Sequence, residues 1–312
     1  MRTPVTIGGY VLGLAAVFAA ALGLGHLTGE PPAAPAAHSE QHAPAGEHAP
    51  APAAAADHLP GGLQVTQDGY RLTPMTATLA PGRREPFRFR ILGPDGAPVT
   101  RYTPNHDKDL HLIVVRRDLS GFQHVHPSLG ADGTWSVPLG VAAAGQYRVL
   151  ADFQPAGRSE GLTLGVDVAA PGDYRPVPLP SVSRTARVDG YTVTLEGELT
   201  PGTSSELTLT IARDGVPVTD LEPYLGAYGH LVALRDGDLA YLHVHPGDGR
   251  GAAGPQIRFL AEVPSAGAYR LYLDFQHGGR VRTAEFTATA GPVPAAPATA
   301  TAPSGHGDHT HK

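Results

Sequence analysis

A gapless shift of 119 residues lays Asp95–Pro127 onto Asp214–Pro246 with thirteen identities in thirty-three positions, where unrelated chains of ordinary composition share about two. A chain that repeats itself on this scale is constrained to fold as two like units. Each repeat spans roughly 110 residues, which is enough to bury a core of its own.

The units read as β. Pro86–Leu92, Thr134–Val137 and Tyr147–Leu150 are short stretches rich in alternating or β-branched residues, and Pro94-Asp95-Gly96, Ala131-Asp132-Gly133 and Ala144-Gly145 punctuate them as turns. The second copy answers with Tyr191–Leu195, Glu206–Ile211, His230–Leu234, Leu239–Val244, Ile257–Val263 and Ala268–Phe275. Turn signals every 8 to 12 residues or so and the lack of a helical period beyond residue 60 predict an all-β chain. The expected architecture is two tandem β-sandwiches of immunoglobulin-like or cupredoxin-like shape, at 61–170 and 185–290. A Pro-rich spacer at 171–184 separates them, so two beads on a semi-rigid rod is the simplest picture.

The identities that carry chemistry are histidines. His111 stands thirteen residues before His124-Val125-His126-Pro127, and His230 stands thirteen before His243-Val244-His245-Pro246. Alternate strand residues share a face, so His124 and His126 lie about 6.6 Å apart on one side of a strand. A hairpin centred near Asp118 and Leu119 places His111 opposite His126 and collects three imidazoles on one patch. The second copy repeats this through Arg235-Asp236-Gly237-Asp238. Such a set suits Zn(II), Cu(II) or Ni(II), with Cu(II) or Zn(II) the expected ion and a position left for water or a carboxylate. The sequence has no cysteine and only two methionines, which excludes disulfides and argues against a soft Cu(I) site. Asp152 and Asp274, in the repeated Tyr-Arg-x-x-x-Asp-Phe-Gln segment, are either ligands, partners that orient an imidazole, or members of ion pairs with Arg148 and Arg270 or with Arg116 and Arg235; the ion pair is the preferred reading.

The formal net charge of −6 offers no basic face to a phosphate backbone, so nucleic acid is excluded as a partner. Residues 1–29 carry one fixed charge, Arg2, before an apolar run over Val5–Leu27 long enough to span a bilayer. The expectation is a single-pass anchor that leaves the sandwiches on the extracytoplasmic side, with a cleaved signal peptide ending near Ala34-Pro35-Ala36 and a secreted chain as the alternative. Residues 30–60 and 291–312 are rich in Pro, Ala and His and read as a disordered linker and tail.

The segment Pro223-Tyr224-Leu225-Gly226-Ala227-Tyr228-Gly229-His230-Leu231-Val232-Ala233-Leu234, continuing through Leu239-Ala240-Tyr241-Leu242-His243-Val244-His245-Pro246, resembles one found in a poorly characterised family of bacterial cell-envelope proteins described as heavy-metal-binding or copper-associated. The sandwich modules are similar in outline to the YtkA-like group. The resemblance is tight over about twenty-five residues of the second repeat and looser in the first, where Asp109-Leu110-His111 stands in place of Tyr228-Gly229-His230. It implies that His230, His243 and His245 form the better site and that the first triad is the more degenerate copy. Together these readings lead to a non-enzymatic extracytoplasmic protein that buffers or delivers Cu(II) or Zn(II), with an envelope metal transporter as a partner. A scaffolding or adhesion module with structural histidines is the alternative. A zinc hydrolase is a third reading, for which neither triad offers a neighbouring general base.

Overall fold

The structure, a computed structural model, describes residues 59–242, 244–247 and 251–291. These all belong to one compact unit. The expected anchor or signal segment, the linker up to residue 58 and the His-containing tail from residue 292 lie outside the described residues. Among the described residues every regular element is a strand, and no helix is long and apolar enough to cross a membrane.

Each repeat forms a sandwich of two antiparallel sheets. In the first, an outer sheet runs in the order Thr66–Gln67, Tyr70–Pro74, Arg84–Leu92, Thr134–Gly140, Ser128–Leu129. Its inner sheet runs Gln123–Val125, Leu110–Arg116, Gly145–Phe153, Leu162–Ala170. In the second, the outer sheet is Thr185–Val188, Tyr191–Glu196, Ser204–Arg213, Gln256–Glu262, Val244–Pro246, with Val216–Pro217 beside Ser204–Arg213; the inner sheet is Tyr241–Leu242, Gly229–Arg235, Gly267–His277, Arg280–Ala290.

Side-chain parity explains how the sheets are covered. On the outer strand Arg84–Leu92, Phe87, Phe89 and Ile91 are buried while Arg88 faces out, the alternation of a sheet with one wet face. The inner strand Leu110–Arg116 is buried at every position. Its even residues Leu110, Leu112 and Val114 enter the sandwich core with Phe87, Phe89 and Trp135. The odd residues Ile113 and Val115 point the other way and pack with Leu119, Leu150, Val232, Leu234, Leu239 and Tyr272, a separate cluster drawn from both repeats. The sandwiches therefore pack inner sheet against inner sheet. Fully burying side chains of this kind contributes about 1.5–3 kcal/mol each, and the contact is tied further by Phe122, which stacks on Tyr272 at 3.9 Å between ring centres, and by the Tyr272 hydroxyl, which donates to the Leu119 carbonyl at 2.6 Å.

The picture of two beads on a rod gives way to a closed pair. The spacer is extended and exposed, as its composition requires, but the Val177 N–H donates to Asp118 at 2.7 Å and Leu179 packs on the inter-sandwich cluster. The N-terminal stretch also joins the two halves, since Gly62 N–H donates to Thr163 of the first repeat and Tyr241 N–H of the second donates to Gly61.

Candidate metal centre

The hairpin that carries the first triad pairs Leu112 with Val125 and Ile113 with His124, so the same register sets His126 across from His111. His111, His124 and Ile113 share the odd face, which is the face turned toward the second sandwich. Beyond Val125 the chain leaves the inner sheet and rejoins the outer sheet at Ser128, with Pro127 at the crossing, where no ladder hydrogen bond needs its missing N–H.

Three imidazoles converge there. His111 Nδ1 lies 3.0 Å from His124 Nε2 and 3.1 Å from His126 Nε2, and one ligand atom from each residue falls within 4.8 Å of the others. Ring centres are 5.2, 4.9 and 4.8 Å apart for the pairs 111–124, 111–126 and 124–126. Two imidazoles on one tetrahedral ion with bonds of 2.0–2.1 Å have facing nitrogens about 3.3 Å apart and ring centres about 5.2 Å apart.

The outward nitrogens fix the protons. His111 Nε2 meets the Asn105 carbonyl at 2.9 Å, and a carbonyl only accepts, so Nε2 carries the hydrogen. A neutral His111 then holds an electron pair on Nδ1, aimed into the centre. His124 Nδ1 donates to Asp274 Oδ2 at 3.0 Å, which leaves the electron pair of a neutral His124 on Nε2, also aimed inward. Asp274 is 4% exposed, and its other oxygen accepts from the Thr283 hydroxyl at 2.6 Å. A carbonyl and a carboxylate on the outer nitrogens are the partners that orient metal-bound imidazoles.

Asp274 belongs to the second repeat and His124 to the first, so the ion pair preferred from sequence is not the one that forms. Arg270 and Asp274 share a face of one strand but stand four residues apart, about 13 Å. Arg270 instead pairs with Glu285 at 2.5 Å and Arg148 with Asp167 at 3.2 Å. Arg116 and Arg235 are taken by Asp118 and Asp238 in their own turns. Asp152 accepts from Thr163 at 3.0 Å, as Asp274 does from Thr283.

His230 occupies the matching place in the second repeat. Its Nε2 donates to the Tyr224 carbonyl at 2.7 Å, as His111 does to Asn105, and its ring centre lies 6.1 Å from that of His124 and 6.4 Å from that of His111. The first triad and His230, expected on separate domains, thus face one interface. His243 lies outside the described residues, and His245 is described only in its backbone, which pairs with Leu260. The set that converges among the described residues is the first triad.

Burial favours the neutral form of His111, His126 and His230. It lowers the pKa of His111 and of His230 to about 4, aided by neighbouring imidazoles and opposed by the carbonyls they face. His126 falls to about 3, through burial and then the nearby His124, His111 and Lys108. His106, which the sequence did not single out, is also lowered by burial, and it lies in the same cavity of about 280 Å³ with His111, His124, His230 and Asp152.

A family model described as "Domain of unknown function (DUF8832)" matches residues 64–170 and again 186–291. No curated protein matches the sequence significantly. Among solved structures the chain is similar to FdeC, an Escherichia coli adhesin, at 16% identity over 73% of this chain and 65% of that one, with a TM-score of 0.22. It is similar to domains 5–6 of the S-layer protein SbsC at 13% identity over 71% of this chain and 97% of that one, TM-score 0.20. Invasin, a bacterial integrin-binding protein, follows at 12% identity over 72% of this chain and 40% of that one, TM-score 0.21. The chain thus spans less than two thirds of the length of FdeC and of invasin, and superpositions this partial do not bear on what it does.

Proposed function

The chain belongs, through both of its repeats, to the DUF8832 family of unknown function, and from its side chains we propose that it binds a divalent transition-metal ion, Cu(II) or Zn(II), where its two sandwiches meet. His111, His124 and His126 are the ligands, and Asp274 orients one of them. One observation carries this reading: the outward nitrogens of His111 and His124 face acceptors, so two electron pairs point at each other across 3.0 Å with His126 Nε2 beside them. Bare lone pairs at that distance repel, and a cation between them relieves the repulsion. With three protein ligands the ion keeps an open position toward the cavity, which suits reversible loading and transfer. The role that follows is buffering or delivery of the ion, outside the cytoplasm if the N-terminal apolar run acts as an anchor or signal.

A second reading has its own support. A proton can replace the ion: His124 as imidazolium would donate to Asp274 and to His111 Nδ1 at once, and the cluster would be a hydrogen-bonded clasp in a scaffolding or adhesion module. The two readings differ in what sits at the centre. Titrating the chelator-treated full chain with Zn(II) at pH 7.5, and comparing His124→Ala with the tail variant His309→Ala, separates them. Metal binding predicts a tight site lost in the first variant and kept in the second. No site tighter than about 10 μM in the wild type leaves the clasp.

A further inference from the structure

His106 is missing from the duplicated pattern, yet among the described residues its ring is the one most closely placed against His230. The ring centres are 5.1 Å apart with planes at 88°, and a single tetrahedral ion held by two imidazoles calls for about 5.2 Å. We infer that His106 and His230 form a second ion position, one ligand from each sandwich, next to the triad and open to the same cavity. Its class of ligand is again a divalent ion with a preference for imidazole. The inference deepens the proposed function and rests on it.

Three further observations support it. The first is the proton on His230: Nε2 is committed to the Tyr224 carbonyl, so a neutral ring keeps its electron pair on Nδ1. The second is backbone cost. His106 and Asp107 both adopt positive φ, 46° and 60°, in a tight turn closed by reciprocal hydrogen bonds between Asn105 and Lys108. That conformation is uncommon outside glycine, although His and Asp adopt it more readily than most side chains, and residues so held recur where ligands are gripped. The third is how that turn is seated. Its counterpart in the second repeat is Leu225-Gly226, at φ 51° and 77°, and a Cβ on Gly226 would come within 3.1 Å of Asp107 Oδ2. The two turns meet across the interface, and the missing side chain at Gly226 makes room for Asp107. The turn of the second repeat has leucine where the first has His106, so this position is built once, from unlike halves of the duplication.

The neighbouring rings set what the second ion would sense. His106 is 6.3 Å from His111 and His230 is 6.1 Å from His124, centre to centre, so ions in both positions would be held by neighbouring rings. Two Cu(II) ions that close couple magnetically.

The full chain, loaded with one and then two equivalents of Cu(II), is followed by electron paramagnetic resonance. The expected result is an isolated signal with the first ion and a dipolar-coupled pair, including a half-field transition, with the second. His106→Leu copies the residue that the matching turn already accommodates, so the thermal midpoint should hold. This variant should lose the coupled signal and still bind the first ion tightly, since the three imidazoles of the triad are retained. A wild type whose second ion stays uncoupled overturns the inference while leaving the triad intact. A His106→Leu protein that still couples also overturns it, since His106 is then no ligand. If the wild type takes up no ion tightly and His124→Ala behaves identically, the triad fails and this position falls with it.

Discussion

Asp274 of the second sandwich accepts a hydrogen bond from His124 of the first at 3.0 Å, between side chains that are 6% and 4% exposed. They are 150 residues apart in the chain. An imidazole of one repeat is thereby oriented by a carboxylate of the other, and the proposed centre is complete only when the sandwiches are docked.

Replacing Asp274 tests that coupling. Asp274→Ala should weaken Zn(II) binding roughly 10- to 100-fold, the usual cost of losing a partner that orients a ligand. It should also lower the stability of the metal-free chain by about 1.5–3 kcal/mol, as a charge-assisted hydrogen bond is lost. Competition titration and urea unfolding read the two effects. An unchanged affinity would show that His124 needs no help from the second repeat.

Acid should loosen the metal-free protein before its carboxylates titrate. Folded His111 and His230 have pKa values near 4, below the ordinary 6.5. For a base whose folded pKa is depressed, the stability is fully present above pH 6.5 and is lost as pH falls toward 4, because the unfolded chain takes up the protons. The limiting slope is about 1.4 kcal/mol per pH unit for each histidine. Urea midpoints measured with chelator at pH 7.5, 6 and 5 should fall in that order, and a flat profile would mean that the rings are solvated.

The docking surface is open to a conservative test. Tyr272→Phe keeps the stack on Phe122 and removes only the hydroxyl that satisfies the buried Leu119 carbonyl. A loss of about 1–3 kcal/mol is expected. Tyr272→Ala should cost about 3–5 kcal/mol. Calorimetry would show that second variant melting in two transitions if the sandwiches come apart before they unfold.

Gly165 marks the seat of the N-terminal stretch. A Cβ there would sit 2.0 Å from the Gly62 carbonyl oxygen and within 2.8 Å of the Arg148 guanidinium. Gly165→Ala should therefore expel residues 59–64 and expose them to protease. Gly96→Ala, at a turn with open space around it, carries the strain of a positive φ without that displacement. Proteolysis at 59–64 that is equal in both variants would refute the seating.

Much of the local structure could be read from the residues. Phe87-Arg88-Phe89-Arg90-Ile91 alternates because one face of its sheet meets water, and the turn around Asp118 and Leu119 fixed the register that sets His126 opposite His111. The preference for the second triad could not be settled in the same way, because it rested on a motif and not on geometry. His106 gave no signal at all: its role depends on a left-handed turn and on a ring from the other repeat. Leu112–Val115 and Leu231–Leu234 are apolar without alternation, which marks strands covered on both faces.

By itself, then, the sequence determined that the chain is two β-sandwiches and which histidines share a strand face, because both follow from short-range periodicity and from the duplication. Only the tertiary structure decided what that face looks onto. Period two says which side chains point the same way; it carries no information on the surface that covers them. The docking of Ile113, Val115 and Leu150 on Val232, Leu234 and Tyr272 supplied that surface, and with it Asp274 for His124 and His230 for His106.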